Sequence, residues 1–399
     1  EDRNCVAQWT INQYTISFDS NGGTPSTIDD ITQDYGTAVT APDAPTKVGY
    51  TFTGWNPLVP ATMPAEDKHC VAQWQIDYEY SISNNQVTIT KYIGPDGAVT
   101  IPSSIEGYPV TSIGYQAFKN RTGVTSVVIP DGVTSIESHA FADCSGLTSV
   151  TIGTGVTSIE NRAFLNCTGL TSVEIPNSVT SIGIYAFNGC SGLASVDIPD
   201  GVTSIGSYAF YDCAGLANIR VATGNSSYSS LDGVLFNQDQ TELIQFPGGK
   251  SGAYSIPDSV TSFTDYAFRG CTGLTSVVIP NSVNSIEINA FSGCTGLTSV
   301  TIPNSVNSIG YRVFYGCTSL TSVVIPNSVT NIGSSTFEGC TALASIYFIG
   351  TPPALGSNSF NGVPGTVYYI YGTQGWGTQF GGRPTAVWTS VATFEGNGG

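Results

Sequence analysis

Apolar residues recur through most of this chain at fixed places in a repeating unit, with a period equal to the step from Phe141 to Phe164. The unit is clearest in Gly146–Thr168, where Leu147, Val150 and Ile152 are separated by Thr and Ser. Such alternation predicts a short half-buried strand, and Val156-x-x-Ile159 predicts a second inward-facing edge. Ala163-Phe164-x-x-Cys167 fits a tight helical or 3₁₀ turn with Phe and Cys on its inner side. The Phe column runs through 118, 141, 164, 187 and 210, then 268, 291, 314, 337 and 360. One unit alone cannot bury such a face, whereas stacked units bury it continuously, so the pattern predicts a solenoid. The fold class is mainly β with short helical turns, in about 11 units. At about 4.8 Å per coil the body is about 50 Å long. The gap between Phe210 and Phe268 is more than two periods and less than three, so 218–262 holds an irregular insertion around Leu231–Phe236. A protruding hairpin is expected there.

A different pattern precedes the solenoid. Tyr14–Phe18 alternates apolar and polar residues, Asp19-Ser-Asn-Gly-Gly23 supplies a tight turn, and Gly49–Trp55 and Cys70–Trp74 read as further strands. Five prolines between 42 and 64 leave room for one short helix at most. Glu1–Trp9 nearly duplicates Glu66–Trp74, so 1–9 reads as the end of a preceding module and 10–75 as one complete copy. With no start Met or signal peptide, the chain reads as a fragment of a longer protein. Residues 76–388 then form the solenoid, with 76–98 and 350–388 as caps that protect its open ends. Residues 389–399 read as a tail or linker.

Composition changes this picture in two ways. Only 10% of residues are charged, yet the net charge is −17, from 29 acidic and 12 basic side chains. That balance argues against nucleic acid, whose phosphates are bound by Lys and Arg. No apolar run reaches the roughly 18–20 residues of a membrane helix, so no membrane insertion is expected. Ser and Thr between the inward columns then account for solubility. The ten cysteines suggest a disulfide framework until their spacing is read. Cys144, Cys167, Cys190 and Cys213, and again Cys271, Cys294, Cys317 and Cys340, keep the same step as the Phe column, which marks one template position copied eight times. They read as free, buried, apolar-like thiols. Cys5 and Cys70 hold equivalent places in successive modules, too far apart to pair, and read as small buried residues.

The F-x-x-N-G-G turn, G-Y-x-F-x-G-W strand and V-x-A-x-W end of 10–75 resemble the Listeria–Bacteroides repeat, also called the internalin B-repeat. The resemblance implies a small β-grasp-like module on secreted or surface proteins. The consensus I-P-x-S-V-T-S-I-x-x-x-A-F-x-x-C-x-x-L, down to the irregular D-G-V-L-F segment, resembles the BspA-like, or Treponema pallidum-type, leucine-rich repeats. That resemblance covers most of the chain. It implies a leucine-rich repeat solenoid on a large secreted or surface-attached bacterial protein, some of which are adhesins.

Candidate chemistry is sparse. Asp19, Asn21 and Asp29 lack the Gly and Glu of an EF-hand and read as turn residues. His69 and His139 are the two histidines, so no mixed Cys/His metal cluster is evident. His139 shares a unit with Cys144, but its column continues as Arg162, Tyr185 and Tyr208 on the surface. Glu174 and Asp197 fall about 5 Å apart on adjacent coils, on an open face without the cleft a glycosidase uses. No phosphate-binding loop or nucleophile elbow is present. The chain therefore reads as a non-enzyme, with no catalytic, cofactor or metal residue assigned.

Variation within the template marks where a partner is read. The exposed strand column is Val128, Thr151, Glu174, Asp197, Arg220, Val278, Thr301, Val324 and Tyr347. Val at three of these places serves solubility less well than Thr. Tyr185, Tyr208 and Tyr266 form a second column, with Tyr211 and Tyr315 nearby, and Tyr gives contact area at low entropic cost. Stacking of those rings between coils is the competing structural explanation. The leading reading is an extracellular, secreted or surface-attached adhesion or protein-binding module, monomeric, that presents a solenoid face to a host matrix or cell-surface protein, or to a glycan. The alternatives are a passive spacer that projects another domain and, remotely, a carbohydrate-active enzyme.

Overall fold

The computed structural model describes residues 7–388, and among these every regular element is a β-strand. The first four, β1 (Gln13–Asp19), β2 (Ile28–Asp34), β3 (Tyr50–Asn56) and β4 (Lys68–Ile76), form a sheet ordered β2-β1-β4-β3. The central β1–β4 pair is parallel and both outer pairs are antiparallel. Ile16, Phe18, Trp55, Met63 and Cys70 fill its core, and Phe52 meets Trp55 and Trp74 edge to face. The Asp19–Gly23 turn is as read: Asn21 and Gly22 have positive φ, and the Asn21 amide donates to the Asp19 carboxylate. No helix occurs among the described residues of this module, within the limit the prolines set.

Only Asp77 separates β4 from β5 (Tyr78–Ser83), which forms a hairpin with β6 (Gln86–Tyr92). Asp77 is nearly buried; its amide donates to the Gly49 carbonyl and its carboxylate accepts the Thr51 hydroxyl. β6 then pairs in parallel with Tyr108–Ile113, and the hairpin becomes the first layer of the solenoid. Stacked coils follow to about twelve turns. Two strand ladders run along the body, one through the Leu-x-x-Val-x-Ile segments and one through Val-x-Ser-Ile. At the far end Thr366–Ile370 and Arg383–Trp388 extend the first ladder.

The Ala-Phe-x-x-Cys segment is not a helical turn, which corrects the sequence expectation. A helix sends every amide to a carbonyl three or four residues back, whereas here the amides alternate. Those of Ala163, Leu165 and Cys167 bond three residues back, while those of Arg162, Phe164 and Asn166 cross to Ile184, Ala186 and Asn188 of the next coil. Arg162 and Asn166 reach that geometry at φ 58° and 56°, and their columns repeat positive φ in nearly every coil. The wall is thus a third ladder built of linked turns.

Inside, Phe rings stack along the axis; Phe141, Phe164 and Phe187 lie 5.2 Å apart and within 3° of parallel. The nine described cysteines are buried free thiols, and Cys5 lies outside the described residues, as does the 389–399 tail. Each ladder thiol bonds a Phe carbonyl of the preceding coil, for example Cys167 to Phe141 at 3.1 Å. Thr hydroxyls on the surface bond Thr carbonyls one coil back, as from Thr157 to Thr134.

The insertion does contain a hairpin, Tyr228–Leu231 with Val234–Asn237, but it does not protrude. Val234, Leu235, Phe236 and Leu243 are fully buried, because the segment must fill the place of a missing coil. Asn225 starts it, at the position held by Val in the preceding coils. Its side-chain amide donates to the Pro199 and Val202 carbonyls at 2.8 Å and accepts from the Ser227 and Tyr228 amides. Restoring the repeat residue with Asn225→Val is therefore expected to destabilise the fold by about 2–4 kcal/mol, because buried backbone groups lose partners. A urea midpoint equal to or above that of the parent would contradict this.

Candidate interaction faces

The strand column lies on one face, as the register requires. Val128, Thr151 and Glu174 are neighbours across a parallel ladder, as are Asp197 and Arg220, Val278 and Thr301, and Val324 and Tyr347. Val128 and Val278 are 42% and 47% exposed, and Val324 is half-buried. The ladder is not continuous: Glu174 and Asp197 are not ladder partners, nor are Thr301 and Val324. At the first break lies a groove of about 690 Å³ lined by Glu174, Asn177, Asp197, Pro199 and Arg220. The two carboxylates thus share a concavity, where a flat open face was expected. Arg220 donates to the Asp197 carboxylate at 3.3 Å between two exposed side chains, a pairing that contributes about 0–1 kcal/mol. Glu174 has no ion-pair partner among the described residues.

At the far end of this face Tyr347 stacks on Tyr368 at 5.1 Å and meets Trp388 at 4.9 Å. Tyr368 and Trp388 escaped the sequence reading because they sit in the cap, outside the template. Their signal was the aromatic content of that cap.

The tyrosine column lies on the turn wall. Tyr185 stacks on Tyr208 at 4.9 Å, and Tyr208 meets Tyr266 edge to face at 4.8 Å although the whole insertion separates them in sequence. Arg162 lies over Tyr185, Arg269 over Tyr211 and Tyr266, and Arg312 over Tyr315. All three column tyrosines adopt positive φ, between 58° and 65°, a costly region for a bulky residue. Ring stacking between coils offsets that cost. His139, in the same column, meets Tyr115 edge to face, and burial followed by the charges of Arg162 and Lys119 lowers its pKa. Cys144 in its unit is buried, so no exposed thiol faces it. No group of three or more His, Cys, Asp or Glu side chains suited to a metal ion occurs among the described residues.

A second cleft, of about 430 Å³, opens at the insertion. Ile205, Tyr208 and Phe210 line one wall, and Glu242, Gln245 and Asp265 the other. Burial raises the Asp265 pKa, with Glu287 adding to it and the Ile288 amide opposing it.

Both parts of the chain have counterparts among known proteins. Residues 14–58 match the Listeria-Bacteroides repeat domain. A leucine-rich cell surface protein of Faecalibacterium prausnitzii is 30% identical, with TM-score 0.54 over 75% of this chain and 94% of that one. The pneumococcal vaccine antigen PcpA shares the fold at 21% identity and TM-score 0.60, over 86% of this chain and all of that one. Internalin H of Listeria monocytogenes is 49% identical over 55 residues, which is 14% of this chain and 9% of that protein. The chain spans 13% or less of the length of the curated relatives it matches. The BspA type leucine-rich repeat region matches residues 111–241 and 246–365, well over half of the sequence. With strand ladders, Phe and Cys columns and a cell-surface relative all of one kind, the chain belongs to the BspA-type leucine-rich repeat family.

Proposed function

We infer that this chain is an extracellular protein-binding module, carried on a bacterial surface, whose strand face holds a protein partner in adhesion. The observation that carries the reading is the exposed apolar side chain at Val128 and Val278, in a column where Thr serves the fold equally well at 151 and 301. Two strands along from Val128 the charged groove of Glu174, Asp197 and Arg220 begins, and beyond Val278 lies the aromatic strip at Tyr347. Apolar anchors, an ionic site and aromatics on one rigid face are the elements of a protein interface. The cell-surface description of the Faecalibacterium relative supports the location.

The test is surface capture of matrix and cell-surface proteins, with glycans in the same panel. Binding by the parent should fall at least about tenfold in Val128→Thr/Val278→Thr and in Arg220→Ala, each with an unchanged melting curve. Glycans captured in place of any protein would move the assignment to carbohydrate recognition. Capture of nothing would favour the spacer, to which the one-residue join at Asp77 is suited.

A further inference from the structure

At the cleft the insertion fills the core but leaves part of the turn wall unpaired. In regular coils the amides on the turn wall cross to the next coil: Tyr185 to Ser207, Phe187 to Ala209 and Gly189 to Tyr211, at 2.8–3.2 Å. The pattern resumes beyond the insertion, from Tyr266 to Ile288 and Phe268 to Ala290. Between these, the amides of Tyr208 and Phe210 meet no carbonyl among the described residues. The adjoining strand Ser204–Ile205 is the last of its sheet. One edge group is taken: the Ile205 amide donates to the Tyr228 hydroxyl at 2.8 Å. The core divides at the same place, with Leu235 packed in one cluster and Val234 and Phe236 in the other. Ile205 is only partly buried, unlike Ile136, Ile159 and Ile182 of its column.

The cleft therefore offers three things together. The Tyr208 and Phe210 amides have no main-chain acceptor among the described residues, whereas the equivalent amides of Tyr185 and Phe187 meet the Ser207 and Ala209 carbonyls. Ile205 and Ile244 give an apolar wall. Glu242 and Asp265 give two carboxylates, neither in an ion pair among the described residues. Backbone donors select peptide main-chain carbonyls, and the carboxylates select a cation beside them.

We propose that the cleft between Ser204–Phe210 and Glu242–Asp265 binds a peptide segment bearing a lysine or arginine, whose main-chain carbonyls meet the Tyr208 and Phe210 amides. The site is distinct from the strand face and stands whether or not that face binds a protein. Its chemistry also differs: the affinity comes from main-chain hydrogen bonds and one ionic contact, not from apolar anchors.

The experiment uses the whole chain and two degenerate pentapeptide pools, one with a fixed central lysine and one with a fixed central glutamate. Amide exchange is followed at Tyr208 and Phe210. The lysine pool should slow exchange at both amides and leave Tyr185 and Tyr266 unchanged, and the glutamate pool should bind at least about tenfold more weakly. Glu242→Gln/Asp265→Asn should remove that preference. Equal protection by both pools, or none at millimolar lysine pool, overturns the proposal. Exchange on the parent chain gives this result independently of how the double variant folds. Loss of strand-face capture in Val128→Thr/Val278→Thr with the lysine-pool protection intact would separate the two sites.

Discussion

Above about pH 8.5 the solenoid is expected to lose about 1.4 kcal/mol of stability per pH unit for each ladder thiol that burial holds protonated, and to unfold in one steep step. Burial is the main cause that raises these pKa values: Cys144 and Cys340 are pushed up to about 12, and Cys167, Cys190, Cys213, Cys294 and Cys317 well above the ordinary thiol value. A neighbouring thiol in the ladder adds to the shift at the inner positions. The sign follows from the direction. A pKa raised on folding leaves stability complete below the unfolded thiol value and removes it as pH climbs toward the folded one. Seven such thiols lose on the order of 10 kcal/mol per pH unit, against a total of about 5–15 kcal/mol for a folded domain. Circular dichroism from pH 7 to 11 under reducing conditions should show a transition completed within about one pH unit. A thiol dye should label the ladder only across that transition. A decline spread over three units, or ladder labelling at pH 7, would refute it. Cys167→Ala/Cys190→Ala should make the transition shallower, since two protons leave the count.

The ladders were legible because each apolar column is one physical requirement copied many times, so Phe164 and Cys167 were placed inward from spacing alone. The turn wall was misread because Ala163, Phe164 and Cys167 fit one turn of helix equally well. What decides is backbone hydrogen bonding to the next coil, which a single unit does not display. A trace of it was present in the residue before each Cys, which is Asp143, Asn166, Gly189 or Gly293, all suited to positive φ. Strand β2, Ile-Asp-Asp-Ile-Thr-Gln-Asp, went unnoticed because it is a polar edge whose alternation is broken by paired acids. The strand-face column was found, but the groove within it was not. The groove depends on a break in the ladder between Glu174 and Asp197, and the repeat there is unbroken in sequence. The cleft at the insertion was equally hidden. It is defined by amides that lack partners, and the residues that fail to supply them, near 245, look apolar and ordinary.

Phe164→Ala is expected to cost about 4–5 kcal/mol and to divide the unfolding of the solenoid into two transitions. The ring is fully buried and stacked on both sides at 5.2 Å, so truncation leaves a cavity and also removes two aromatic contacts of about 0.5–1.5 kcal/mol each. In a stack where each coil touches only its neighbours, that cavity weakens the coupling between everything before and everything after it. Phe360→Ala supplies the contrast. It lies near the cap, with Phe337 at 5.7 Å and Phe380 at 6.3 Å, and its loss should shorten the stack without dividing it. Urea unfolding followed by circular dichroism, with exchange measured coil by coil, distinguishes the outcomes; an equal cost and a single transition in both variants would mean that the body folds as one unit. The position of the division carries further information. The core is already split at the insertion, where Leu235 and Phe236 face different clusters. Coils 187–216 therefore lie between an engineered break and a natural one, and in Phe164→Ala they should exchange fastest among the buried coils. If they stay protected, the contacts of Tyr208 and Tyr211 with Tyr266 carry coupling across the cleft, and the aromatic wall is what joins the two halves.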